Sequence, residues 1–130
     1  ILVINSDIYW QKNNLIDAKL LIKSFSKNNK THLLLSKWEN SFGIDKKTGD
    51  FVIINGKICR FSNGDEIIYY SGMQILELSV FKKFNNKKFS FNNVWDHLIY
   101  NDSLYGEIMN SDWYHVGDIQ GLNIAKKLDT

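Results

Sequence analysis

Cysteine and proline are almost absent from this 130-residue sequence. Cys59 is the one cysteine, which excludes an internal disulfide framework and any zinc cluster built on cysteine. The same usage is expected of a protein in a reducing compartment, so the sequence predicts a cytoplasmic location. There is no proline, and fifteen of the sixteen basic residues are lysine. We attribute this bias to an A+T-rich coding sequence and draw no functional conclusion from it.

The sequence also lacks long apolar runs and a strong net charge. The opening run Ile1–Ile4 is broken by Asn5 and Asp7 and has no basic residues before it, so we expect neither a signal peptide nor a membrane helix of ~20 residues. Sixteen basic and fourteen acidic residues leave a net charge of +2. Bulk charge therefore predicts no binding to nucleic acid or to a membrane, and any partner must be recognised through a local site.

The glycine-rich signatures of common enzyme folds are missing too. Neither G-x-x-x-x-G-K-[ST], nor G-x-G-x-x-G, nor G-x-S-x-G occurs, so P-loop, dinucleotide-binding and hydrolase-elbow interpretations have no support in this segment. What the chain does have is 44% hydrophobic residues. This is enough for one packed domain spanning residues 1–130, and the length is too short for two.

The first 36 residues have the pattern of a strand, a helix and a second strand. Ile1–Asn5 reads as a strand buried on both faces, and Thr31–Ser36 as another. Between them a helix of about three turns begins near Asn14 and ends at Asn28-Asn29. Its predicted buried face consists of Leu15, Ala18, Ile22 and Phe25. We expect the two strands to be parallel and the crossover to be right-handed.

The middle of the chain is β-prone. Asn55-Gly56 joins the runs Asp50–Ile54 and Lys57–Phe61, which predicts a hairpin with a type I′ turn. Ile67–Leu76 follows as a strand interrupted at Gly72, where a missing side chain would let backbone or ligand approach closely.

The last third alternates between short helices and strands. We predict helices at Ser79–Phe84, Phe91–Tyr100 and Ile119–Leu128, and strands at Leu104–Met109 and Trp113–Val116. Asp118 is the candidate N-cap of the final helix, whose predicted buried face is Ile119, Leu122 and Ala125. The whole pattern predicts an α/β fold with a hairpin insertion.

Two places could carry chemistry. Asp7 follows a buried strand directly, where a carboxylate can hold a divalent cation against a phosphate or merely cap a turn. Trp10, three residues later, is the tryptophan best placed to stack on a ring of a ligand. Near the end of the chain, His115 and Asp118 flank a glycine turn at a helix start, where a phosphate or a metal could bind.

Structural interpretations compete with each of these. By residue pattern alone, a structural histidine and a plain cap are the favoured interpretation of His115 and Asp118. His32 and His97 have no partner at metal-ligand spacing, and Cys59 has no neighbouring base, so we interpret all three as structural.

The order of the motifs resembles a known family. ILVINSD at residues 1–7, YSGMQIL at residues 70–76 and WYHVGDIQGL at residues 113–122 resemble the carboxyl-terminal half of bacterial sugar-1-phosphate nucleotidyltransferases. The resemblance is to the branch of N-acetylmuramate-1-phosphate uridylyltransferase and mannose-1-phosphate guanylyltransferase, and it spans nearly all 130 residues. It implies a Rossmann-like (GT-A-like) mixed sheet, a magnesium cofactor, and a nucleoside triphosphate and a sugar-1-phosphate as substrates.

The resemblance also implies residue roles. Asp7 corresponds to the family's magnesium ligand, and Gly72 to a glycine that lies against the sugar. The family pattern W-x-D-V-G-T has a second metal-binding Asp where this sequence has His115, and Thr where it has Asp118. The resemblance gives His115 the position of the second metal ligand. Because magnesium prefers oxygen ligands, the alternatives are that His115 reaches the ion through water or contacts a phosphate.

One part of the family pattern is missing from this sequence. The nucleotide-binding signature G-x-G-T-R-[ML]-x-P and the catalytic-site lysine do not occur in it. The resemblance therefore implies that an upstream segment or a separate, complementary polypeptide supplies them. The alternative is a non-catalytic fragment that only binds sugar phosphate or a partner chain. A lectin-like module is a third possibility, against which the buried parallel strands argue.

Overall fold

A computed structural model describes residues 1–84 and 90–128 of the chain. Its strands are β1 (Leu2–Ile4), β2 (Ile8–Tyr9), β3 (Thr31–Lys37), β4 (Ser41–Phe42), β5 (Phe51–Ile54), β6 (Lys57–Arg60), β7 (Ile68–Ile75), β8 (Leu104–Ile108) and β9 (Trp113–His115). Its α-helices are α1 (Asn14–Asn28), α2 (Phe91–Tyr100) and α3 (Ile119–Leu128), and short 3-10 helices lie at Trp38–Asn40 and Leu78–Phe84. No helix of this described part is long and apolar enough to cross a membrane.

The strands form two sheets. The larger has the order β1-β7-β3-β8-β6-β5, in which β3 and β8 are parallel and the other neighbours antiparallel. The smaller has the order β2-β9-β4. The predicted hairpin is confirmed as β5 and β6, and Asn55 and Gly56 have φ angles of 53° and 80°, as a type I′ turn requires. The α/β class with a mixed sheet is confirmed.

The larger sheet is covered on both faces, and β3 shows why. Leu33 and Leu35 point into the core beneath α2, whereas Leu34 points into the core beneath α1. Because side chains alternate along a strand, one continuous apolar run fills both cores. Ile8 and Trp113 of the smaller sheet belong to the α1-side core, so the two sheets share that core.

The prediction for β1 is wrong in part. Its direction agrees with that of β3, since both strands are antiparallel to β7. However, β7 lies between them, and Leu2 and Ile4 are 46% and 50% exposed instead of buried. The reason is that β1 is an edge strand: within the described residues, only β7 pairs with it.

The buried face of α1 also differs from the prediction. Ala18 and Phe25 pack against the α1-side core as predicted, whereas Leu15 and Ile22 are exposed, and the buried positions are Asn14, Asp17, Leu21 and Ser24. The buried polar residues bond the segment after β8: Asn110 N–H donates to Asp17 Oδ1 at 2.8 Å, and Asn14 Nδ2 donates to Ser111 Oγ at 2.7 Å. Their partners lie more than 90 residues away, which helical periodicity cannot reveal.

The later helices lie where predicted, but the buried face of α3 differs in part from the predicted face. α2 has the predicted limits, and the Ser90 side chain caps it by accepting from Asn93 N–H. In α3, Ile119 is 78% exposed and Leu122 is exposed as well, whereas Gly121 and Ala125 are buried. Ala125 is buried as predicted, but Ile119 and Leu122 are not, because the small Gly121 is what lets α3 approach the backbone of β9. The predicted helix at Ser79–Phe84 is the 3-10 helix Leu78–Phe84.

Candidate functional site

The candidate site is built around the segment of residues 5–10, which connects the two sheets. It begins at the end of β1, where Asn5 N–H donates to the Gly72 carbonyl oxygen at 2.7 Å. It continues into β2, where Ile8 pairs with His115 of β9. Val116 N–H donates to the Asp7 carbonyl oxygen at 2.8 Å. The main chain therefore fixes Asp7 beside the end of β9.

Asp7 and His115 are in contact, as their predicted roles require. His115 Nε2 lies 3.2 Å from Asp7 Oδ2. The two side chains are 49% and 26% exposed, respectively, so both can be reached from solvent. They are separated by 108 positions in the sequence. The pairing brings a carboxylate and an imidazole to one accessible point at the end of the sheet.

Two backbone groups hold the other side of the His115 ring. Nδ1 lies 3.4 Å from the Gly43 carbonyl oxygen and 3.3 Å from the Gly117 nitrogen. A Cβ at position 117 would lie 2.3 Å from the ring, so only glycine lets the chain turn this close to the imidazole. Gly117 N–H donates to Nδ1 when Nε2 carries the proton, and Nδ1–H donates to Gly43 in the other tautomer. The ring therefore has a backbone partner in either state.

Gly72 has a structural reason to be glycine. Its φ is +94°, and a Cβ there would lie 2.9 Å from Asn5 Cβ and 3.2 Å from Ile8 Cγ1. The pairing of β7 with β3 shifts register at this point, as the predicted interruption of the strand implied. The space left by the missing side chain is thus taken by Asn5 and Ile8. A sugar contact at Gly72 stays a prediction.

Trp10 and Asp118 also have local structural roles. Trp10 Nε1 donates to the Asn5 carbonyl oxygen at 3.2 Å, which ties the indole back over the segment that carries Asp7. Asp118 Oδ1 accepts from Gly121 N–H at 2.7 Å, so the predicted cap of α3 is confirmed. Whether either residue also touches a substrate stays a prediction.

The fit to magnesium is partial. Asp7 supplies one carboxylate, and magnesium binds through one or two carboxylates together with water and substrate phosphates. His115 does not fit as a magnesium ligand, because this ion prefers oxygen. Among the described residues, no group of three or more His, Cys, Asp and Glu side chains could hold a metal. Asp7 is therefore the one predicted residue suited to direct contact with magnesium.

The site lies apart from three cavities of the described residues. A cavity of about 420 Å³ lies between the beginnings of β3 and β8 and the residue after β7, lined by Lys30, Thr31, Glu77, His97 and Ser103 among others. It is at the opposite end of the sheet from Asp7, which follows β1. Size alone would favour this cavity as a ligand site. The paired ionisable groups favour the open surface at Asp7 and His115 instead.

The other histidines and the cysteine lie away from this contact. His32 is buried, stacks on Tyr105 with ring centroids 5.3 Å apart, and donates from Nδ1 to the Lys30 carbonyl oxygen at 2.7 Å. Burial lowers the pKa of His32 and keeps the ring neutral. His97 Nε2 bonds Asn101 Nδ2 in α2, and Cys59 is a free thiol in β6. These surroundings agree with structural roles.

The sequence did not identify the short strands around the site. Only two residues form each of β2 and β4, and both pair with β9. Because Gly43 reaches His115 across this pairing, no local pattern predicts its contact. Gly117 did carry a signal, since it follows a strand and precedes a helix.

The fold is similar to half of a known enzyme structure. No protein-family model and no curated protein matches the sequence. Among solved structures, one assigned as a glucose-1-phosphate thymidylyltransferase from Bacillus anthracis, in complex with a sucrose, matches with a TM-score of 0.74 and 17% identity. The match covers 98% of this chain and 53% of that chain. The protein thus has the fold of about half of a sugar nucleotidyltransferase-like structure.

Proposed function

We propose that this chain is the sugar-binding half of a sugar-1-phosphate nucleotidyltransferase. The observation that carries the proposal is the 3.2 Å contact between Asp7 and His115 at the end of a sheet with this fold. Two ionisable groups 108 positions apart are paired where solvent can reach both of them.

The reaction joins two phosphates. An oxygen of the sugar-1-phosphate attacks the α-phosphorus of a nucleoside triphosphate, the bond to the β-phosphate breaks, and pyrophosphate leaves. A bound Mg²⁺ would neutralise phosphate charge, with Asp7 as its protein ligand. His115 orients the Asp7 carboxylate through Nε2–H and is itself held by Gly117. The chain positions the sugar phosphate and leaves the triphosphate to another segment.

The nucleotide-binding loop has to come from outside this sequence, on the same or a complementary polypeptide. The open edge of β1 is where we expect that part to join, because an unpaired strand with exposed apolar side chains is a template for another strand. The matched enzyme is almost twice as long as the stretch that this chain covers, which leaves room for such a half. The identity of the base follows from that half, and a cytoplasmic location suits the free thiol of Cys59.

Pyrophosphate release tests the proposal. The chain is assayed with Mg²⁺, several nucleoside triphosphates and several sugar-1-phosphates, alone and joined to a nucleotide-binding half of a related enzyme. We expect little activity alone and turnover in the joined protein. Asp7→Asn should abolish that turnover and leave the unfolding transition unchanged, since Asp7 is half exposed. Turnover that survives Asp7→Asn would show that Asp7 is only a turn residue.

A non-catalytic role is the second candidate. It is favoured by His115, which stands where the family pattern has a second carboxylate. In this case the chain binds a sugar-1-phosphate, detectable by titration calorimetry, and releases no pyrophosphate in any combination. Robust turnover by the joined protein excludes this candidate.

A further inference from the structure

The cavity that Lys30 and Glu77 help to line is a second place where a small molecule can bind. Its volume of about 420 Å³ lies within the range of small-molecule sites, roughly 300–1,000 Å³. Its walls come from the end of α1 and the start of β3, the segment after β7, the end of α2 and the residue before β8. Because Asp7 follows β1 at the opposite end of the sheet, this cavity is separate from the site of the proposed reaction.

Two opposite charges line the cavity. Lys30 supplies an ammonium group and Glu77 a carboxylate. Ser79 donates to both oxygens of that carboxylate, from its hydroxyl group to Oε2 and from its N–H to Oε1 at 3.1 Å. These bonds lower the pKa of Glu77, so the carboxylate stays ionised at neutral pH. The cavity therefore offers a positive and a negative side chain to the same ligand.

The ends of two helices add negative potential. The last residue of α1, Asn28, and the residues that follow α1 and α2, Asn29 and Asn101, all line the cavity. The carbonyl groups at the end of a helix carry a partial negative charge, about half an elementary charge in total. Together with Glu77 they favour an ammonium group and disfavour a phosphate. The cavity is thus poorly suited to the phosphate-bearing substrates of the proposed reaction.

Lys30 and the apolar lining narrow the choice of ligand further. A ligand with a positive charge alone would be repelled by Lys30, whereas a ligand that also carries a carboxylate complements both charged side chains. Val80 and Leu98 belong to the core beneath α2 and supply apolar surface to the cavity. A short aliphatic chain can pack against them. The lining therefore matches an ammonium group, a carboxylate and an apolar chain in one molecule.

We propose that this cavity binds a free α-amino acid with an aliphatic side chain. The ammonium group of the ligand donates to Glu77 and to carbonyl groups at the ends of α1 and α2, and its carboxylate pairs with Lys30. Its side chain packs on Val80 and Leu98. This binding goes beyond the proposed function, because it needs neither a nucleotide nor Asp7. Either proposal can fail while the other stands.

Titration with L-leucine and two analogues tests the matching of charges. The purified chain is titrated by calorimetry with leucine, with 3-methylbutylamine, which lacks the carboxylate, and with 4-methylpentanoic acid, which lacks the ammonium group. We expect saturable binding of leucine and at least about tenfold weaker binding of each analogue. This comparison uses the native chain, so it does not depend on the stability of any variant.

Variants of the two charged residues assign each charge to its partner. Glu77→Gln and Lys30→Met should each weaken leucine binding at least about tenfold. Lys30→Met should not weaken 3-methylbutylamine, and Glu77→Gln should not weaken 4-methylpentanoic acid, because each analogue lacks the group that the lost charge would bind. Lys19→Met and Glu39→Gln remove the same charges from exposed positions outside the cavity lining and should leave leucine binding unchanged.

Amide chemical shifts show where leucine binds. In the ¹⁵N-labelled chain, the signals of Ser79, Asn101 and Ser103 should shift on addition of leucine, and those of Asp7 and Gly117 should not. The proposal is wrong if leucine does not bind, or if it binds the native chain and Glu77→Gln equally. It is also wrong if 3-methylbutylamine binds as tightly as leucine, or if the shifts are confined to the surroundings of Asp7.

Discussion

At the scale of single residues, the surroundings of each histidine determine whether its ring is available to a ligand. His115 is partly exposed and paired with a carboxylate, whereas His32 is buried between Phe25 and Tyr105 and faces a backbone carbonyl group. The same ring is thus available for a ligand at one position and neutral inside the fold at the other. Sequence spacing alone gave both the same interpretation, because neither has a second ligand nearby in the chain.

His32 should make stability depend on pH. Burial lowers its pKa in the folded state below the ordinary value of 6.5, so the unfolded chain takes up the proton first. The free energy of unfolding should therefore fall as the pH decreases from about 7 toward 5, by at most about 1.4 kcal/mol per pH unit from this group. Urea unfolding at several pH values measures this slope, and His32→Gln should flatten it.

His97, the partly buried histidine of α2, provides the control for that measurement. His97→Gln removes a histidine whose ring nitrogen accepts a hydrogen bond from the Asn101 side chain. It should leave the slope of the native protein unchanged. A slope that is equal in the native chain and in His32→Gln would contradict the account of His32.

At the scale of elements, the irregular point in β7 fixes the segment that carries Asp7. Gly72→Ala would add a methyl group 2.9 Å from Asn5 Cβ at a residue with φ +94°. We expect a loss of about 2–4 kcal/mol in the free energy of unfolding, from backbone strain and crowding together. Because Asn5 must shift, the Asp7–His115 contact should loosen as well.

Gly64 offers a matched control. It has the same φ of +94°, but no atom lies within 4 Å of where its Cβ would be. Gly64→Ala should therefore cost only the strain, about 1 kcal/mol, and leave the Asp7–His115 contact unchanged. Equal losses in the two variants would show that packing against Asn5 contributes nothing.

Sequence analysis correctly predicted the elements whose structure depends on residues close together in the chain. The hairpin at Asn55-Gly56 and the helix Phe91–Tyr100 follow from turn chemistry, capping and periodicity, and both are present. The face of α1 was right at Ala18 and Phe25 but wrong at Leu15 and Ile22, because Asp17 is buried by hydrogen bonds to residues 110 and 111. The strands β2 and β4 were missed because two residues form no pattern. The candidate site was predicted by the resemblance of its motifs, since no periodicity relates Asp7 to His115.

At the scale of the whole molecule, one edge of the larger sheet is open on its α1 side. Leu2 and Ile4 lie opposite Ile75 and Met73, whose side chains belong to the core beneath α1. Residues directly opposite each other in antiparallel strands point to the same face, so Leu2 and Ile4 extend that core into solvent. The helix α1 packs on β3, β7 and β8 and leaves this strip uncovered. We call Leu2 and Ile4, with the free edge of β1, the β1 strip.

The β1 strip should make the chain associate in the absence of a nucleotide-binding half. An exposed edge strand with apolar side chains pairs readily with another chain, and each large aliphatic side chain contributes about 1.5–3 kcal/mol when fully buried. Sedimentation velocity over a range of concentrations should show self-association of the native chain. The double substitution Leu2→Lys and Ile4→Lys should raise the dissociation constant at least about tenfold, because the new charges face a partner strand.

The control for this measurement uses exposed apolar side chains elsewhere. Ile119 and Tyr100 are more exposed than Leu2 and Ile4 but lie on α3 and at the end of α2. Replacing both with Lys adds the same charge and should leave the association unchanged.

If the edge is the place where the two halves meet, a nucleotide-binding half should bind the native chain and suppress self-association, and the Leu2/Ile4 variant should lose this binding. A native chain that stays monomeric at all concentrations, or a control that dissociates as readily as the Leu2/Ile4 variant, would contradict the role of this edge.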